Sequence, residues 1–155
     1  MKKLLLVIAV ALFSFTANAQ LGGGQFSGGV NIGIPVGTMK AQSSFSYGLD
    51  VNYMLNSGEE FSYGIATGYQ NYSGKNGIPS VDFIPLALAG RYAVSEQVSI
   101  GADLGYAMSS NGGFYYRPMV VYNLSETMKL NASYSGVSVT GGTVSNVGAG
   151  IMFNF

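Results

Sequence analysis

The chain of 155 residues contains no cysteine and no histidine. The first absence excludes disulfides and thiolate metal sites. The second removes the usual general base of enzymes and the commonest metal ligand. Charge is scarce as well: Asp, Glu, Lys and Arg make up 9% of the residues, against about 25% in an ordinary soluble domain. No apolar run after residue 15 approaches the ~18 residues that a membrane-crossing helix needs. What the chain does have is glycine, at 23 residues, with 11 tyrosines and 9 phenylalanines. Low charge, high glycine and many aromatic residues without a long apolar run suit a barrel of membrane-crossing strands.

The first residues read as a targeting segment. Met1-Lys2-Lys3 is a short positive region, Leu4 to Phe15 is apolar, and Ala17-Asn18-Ala19 is a small-x-small cleavage site. These are the three parts of a secretory signal peptide. As a helix the apolar run spans only ~18 Å, short of the ~30 Å hydrocarbon core, so an anchor is disfavoured. Residues 1–19 are therefore expected to be a cleaved signal peptide, and residues 20–155 a single domain. Without Lys2 and Lys3 the domain carries five basic residues (Lys40, Lys75, Arg91, Arg117, Lys129) against seven acidic ones, a net charge of −2. That is no footprint for nucleic acid, which calls for a basic patch.

The rest alternates with period two. In the last stretch, Val147, Ala149, Ile151, Phe153 and Phe155 share one face, while Asn146, Gly148, Gly150, Met152 and Asn154 share the other. The same pattern recurs near residues 26–34, 45–55, 61–70, 82–92, 98–108, 114–124 and 128–135, which makes eight strands with the last. Each presents an apolar face and a small or polar face, and no helix remains to cover the apolar rows. Lipid is the simplest solvent for them. Aromatic residues collect towards strand ends (Tyr53, Phe61, Tyr63, Tyr92; Phe45, Tyr47, Tyr106, Phe114) and aliphatic ones towards strand middles (Ile32, Leu49, Leu86, Leu104, Ile151). Two aromatic girdles around an aliphatic belt match the two interfaces of a bilayer.

Connections alternate between tight turns near 57, 96 and 126 and longer loops near 39, 75, 111 and 140. That is the pattern of short periplasmic turns and longer outer loops, and an even strand number puts both termini in the periplasm. The expected fold is all-β: an eight-stranded antiparallel up-and-down transmembrane β-barrel. Pro85 and Pro118 fall inside strands, each removing a ladder donor, and a bulge is expected at each. Met39, Tyr72 and Lys75 read as loop contacts.

The inward charges are Asp50, Asp103, Arg91, Arg117 and Lys129. Unpaired burial of a charge costs several kcal/mol, and an eight-stranded barrel is just wide enough for side chains to fill. An internal salt-bridge network plugging the lumen is therefore expected, with Asp50 and Asp103 pairing with Arg91 and Arg117. Nothing in the sequence points to a catalytic residue, a metal ligand or a cofactor.

With its leader, its eight alternating rows and its terminal Ile151-x-Phe153-x-Phe155, the chain resembles the small outer-membrane β-barrels, the OmpA/OmpX-like "porin family". The segment Asp82-Phe83-Ile84-Pro85-Leu86 is also similar to the fourth-strand pattern of these barrels. The resemblance implies a Gram-negative outer membrane, lipid as solvent, and a monomer. It also implies that Ile151, Phe153 and Phe155 act as the C-terminal signal read by the outer-membrane assembly machinery. Three functional readings stand side by side: a non-enzymatic structural or surface-presenting barrel, a narrow porin-like channel, and, outside this resemblance, a soluble lipocalin-like binder. The last demands the inverse parity, apolar inside and polar outside.

Overall fold

The computed structural model of the chain describes residues 23–56 and 60–155. The expected signal peptide, 1–19, and the tip of the turn at 57–59 lie outside the described residues. The strands are β1 (Gly24–Val36), β2 (Ser43–Asn56), β3 (Phe61–Gly74), β4 (Val81–Ala93), β5 (Val98–Met108), β6 (Gly113–Asn123), β7 (Met128–Val139) and β8 (Gly142–Asn154). One turn of helix, α1 (Met39–Gln42), sits in the first loop. Each strand pairs antiparallel with its sequence neighbour, and β1 pairs with β8, so the sheet closes as a barrel. The end that holds Gly24, Phe155 and the tight turns is the turn end; the opposite one is the loop end.

Register fixes the geometry of closure. Following cross-strand partners from Phe26 leads through Tyr53, Ile65, Leu88, Leu104, Tyr116, Gly136 and Ser145 back to Val36 on β1. The path returns ten residues along from where it left, from 26 to 36. With strands ~4.7 Å apart and a rise of ~3.3 Å per residue, a stagger of that size tilts eight strands by about 40° and sets a backbone radius of about 8 Å. Such a tube holds side chains and little else.

The alternation sorts as the sequence predicts. Leu88 is 73% exposed on the outside, with Ile32, Leu86 and Leu104 also exposed and Phe45, Tyr92, Tyr106 and Phe153 towards the rims. Ser46, Asp50, Asn52, Asp103, Arg117 and Asn146 are buried inside. This parity is the opposite of that in a soluble lipocalin-like barrel.

The prolines behave differently from expectation. The β3–β4 register is the same on both sides of Pro85, and the β6–β7 register is the same on both sides of Pro118. Each ladder skips two residue pairs at the proline without shifting, so the missing N–H is absorbed as a gap rather than a bulge. Thr67 Oγ1 donates to the Pro85 carbonyl at 2.8 Å, which stitches the first gap. A register shift occurs instead at Ser44, where β2 leaves α1. The loops are also shorter than expected. β3 runs on to Gly74, and β7 and β8 meet in a hairpin over Thr140 and Gly141, with Gly141 at a φ of +93°. Asn76 and Gly77, at φ +51° and +83°, make the sharp reversal that an Asn-Gly pair favours.

Candidate functional site

The interior is layered. At the loop end, Tyr72, Phe83, Tyr115, Val137 and Val144 form an apolar cluster, roofed by Met39 from α1. Tyr72 and Phe83 meet edge to face at 5.8 Å between ring centroids. Tyr72 is 1% exposed, so it is a packing residue of the lumen and not a loop contact. Met39 is likewise buried beneath its loop, whereas Lys75 is half-buried and donates to the Lys40 carbonyl at 2.9 Å. The alternation of β3, followed past Gln70, puts Tyr72 inside. The turn-like composition around it hides that signal.

The middle layer is ionic. Arg117 Nη1 donates to Asp50 Oδ1 at 2.6 Å, and its Nε and Nη2 donate to Asp103 Oδ2 at 3.0 and 2.8 Å. Arg91 Nη2 donates to Asp103 Oδ1 at 2.6 Å, and its Nη1 donates to the carbonyls of Gly90 and Ala102. Asn31 Nδ2 completes Asp50 by donating to Oδ2 at 2.8 Å. All four carboxylate oxygens are thus occupied, and two guanidinium groups balance two carboxylates. Arg117 and Asp103 face each other across β6 and β5. Asp50 stands on β2, four strands away around an eight-strand ring, so the Arg117–Asp50 pair crosses the full width of the lumen. Glycine makes room for Arg91: a Cβ at Gly101 would lie 2.5 Å from its Cδ.

The structure therefore brings together Asp50, Arg91, Asp103 and Arg117. Lys129 stands apart and is corrected as a member of the network: no carboxylate pairs with it among the described residues, and its Nζ donates to Gln25 Oε1 at 3.1 Å. One strand, β6, lies between its β7 position and Asp103 on β5, and it lines the cavity at the turn end. There the barrel opens into a cavity of about 600 Å³ lined by polar residues together with Met54, Val121 and Met152, with Arg91 and Asn52 at its inner face. Ile151, Phe153 and Phe155 lie along the outer face of β8. Ile151 pairs with Leu130 and Val30, and the Phe155 N–H donates to the Phe26 carbonyl, the two rings meeting at 6.4 Å.

No protein-family model matches the chain, and no curated protein does. Solved structures do match. Ail, the attachment invasion locus protein of Yersinia pestis, superposes with a TM-score of 0.64 at 12% identity, over 85% of this chain and 97% of that one. The chain has the fold of the small outer-membrane β-barrels. The N-terminal β-barrel domain of OprF from Pseudomonas aeruginosa agrees, with a TM-score of 0.53 at 15% identity over 86% and 98% of the two chains. A de novo designed transmembrane β-barrel matches with a TM-score of 0.58 at 14% identity, over 88% and 99%. That a designed protein superposes as well as natural ones shows how little task the fold carries by itself.

Proposed function

We propose that the protein is a non-enzymatic barrel of the Gram-negative outer membrane whose lumen is sealed, so that it serves the membrane as a structural or surface-presenting element. The observation that carries this reading is the Arg117–Asp50 strut, reinforced by Asp103 and Arg91 and backed by the aromatic cluster above it. An ion on the barrel axis meets paired charges with every carboxylate oxygen filled, and beyond them an apolar layer. The exposed aliphatic belt and the outer-membrane neighbours support the location. Both termini would then lie in the periplasm, and Ile151, Phe153 and Phe155 would serve as the assembly signal on the outer face of β8. Adding the purified barrel to planar bilayers should give insertion without stepwise current. Discrete steps would assign the protein to the narrow-channel class instead.

A further inference from the structure

The cavity at the turn end lies below the seal and shares Arg91 with it. Counting its hydrogen-bonding groups gives an imbalance. Lys129 uses one of its three donors, on Gln25 Oε1. Arg91 keeps its Nε–H and one Nη2 hydrogen after serving Asp103 and two carbonyls. Against these four spare cationic donors, Asn52 is 2% exposed, and its Oδ1 has no hydrogen-bond partner among the described residues. Its amide nitrogen donates to Met152 Sδ at 3.8 Å, and both residues line the cavity. The central network is already neutral, so the Lys129 charge is surplus to it. The acids that share the cavity, Glu96 and Glu126, are exposed residues at its mouth.

We infer that this vestibule is a binding site for a small hydroxylated anion of the sugar-acid class, its carboxylate held by Lys129 and Arg91 and a hydroxyl donated to Asn52 Oδ1. Lysine and arginine offer donors only, so the group that satisfies both is an acceptor and preferably charged. The buried, unpartnered Asn52 Oδ1 asks for a donor, which a bare carboxylate lacks and a hydroxyl supplies. A volume of about 600 Å³ falls within the range of small-molecule sites. Because the cavity ends at the ionic layer, it is a binding pocket and not a passage.

The test uses the whole mature barrel in lipid nanodiscs, followed by NMR on the methionine methyl groups. Gluconate is the probe, with acetate as the carboxylate alone and myo-inositol as the hydroxyls alone. Gluconate should shift the Met152 and Met54 signals saturably, and each control should bind at least about tenfold more weakly. K129Q should weaken gluconate about tenfold or more, and K129R should largely restore it. N52L should remove the preference for gluconate over hexanoate, a carboxylate of similar length without hydroxyls. The inference is overturned if gluconate gives no saturable shift, if acetate binds equally well, or if K129Q and N52L leave binding unchanged in a barrel of unaltered strand content. Conductance in bilayers tests the seal separately, so a conducting barrel that binds gluconate and a closed one that does not are distinguishable outcomes.

Discussion

Asp103→Asn is the sharpest perturbation of the ionic layer. Asp103 is fully buried and receives three hydrogen bonds from two arginines. Asparagine has nearly the same shape, so no cavity opens. It presents one acceptor oxygen where two stood, and its amide turns an N–H towards one of the guanidinium groups. Arg91 loses the carboxylate it pairs with among the described residues, and the layer acquires a net positive charge with Asp50 as its remaining carboxylate. Breaking one partner out of a buried pair costs about 3–5 kcal/mol. With a urea slope of about 2 kcal/mol per molar, the unfolding midpoint of the barrel in phospholipid vesicles should fall by about 2 M, read by far-UV circular dichroism. Adding Arg117→Met removes the second cation and restores neutrality. The double variant should therefore be less destabilised than the two single costs added together, by an amount within the roughly 0.5–3 kcal/mol seen between coupled neighbours. A loss at D103N below about 0.5 kcal/mol, the size of an ordinary surface change, would refute the picture of a tightly balanced buried network.

Two further outcomes concern the outer face and the aromatic layer. Leu88→Arg places a charge on the most exposed part of the aliphatic belt and should cost about 2–4 kcal/mol in vesicles; unchanged stability in the same titration would mean that hydrocarbon does not touch this row. Tyr115→Phe removes a buried hydroxyl that has no hydrogen-bond partner among the described residues, so it should be neutral or stabilising by up to about 1 kcal/mol. A larger loss would show that the hydroxyl is bonded.

Strand number, strand direction and inside–outside parity were legible because a period of two needs no knowledge of neighbours: Leu86 and Leu104 face out whatever lies beside them. Parity also places Asp50 and Arg117 inside. It does not say that they meet, since that depends on a register accumulated over four strand pairings, each set by turns whose lengths composition marks only loosely. The loop-end cluster was hidden for a related reason. Tyr72 and Met39 sit among Asn, Ser, Gly and Lys, and short polar stretches resemble loops even when a strand continues through them. Pro85 and Pro118 mark missing donors plainly. Whether a ladder answers with an extra residue or a gap depends on cross-strand partners, here Thr67, which no local pattern reveals.

The pairing of the first strand with the last has a consequence for the order of assembly. Ser27 and Asn154 are hydrogen-bonded neighbours separated by 127 positions along the chain, and neither margin of the sheet is satisfied until the final dozen residues arrive. A nascent chain emerging from its amino end cannot complete itself stepwise. Until then it offers two open margins to any passing strand, the condition that invites aggregation. Loss of the last strand, whose residues Ser145 to Asn154 pair with Val36 to Ser27, would leave the ring unsewn, a far larger injury than the loss of one strand from an open sheet.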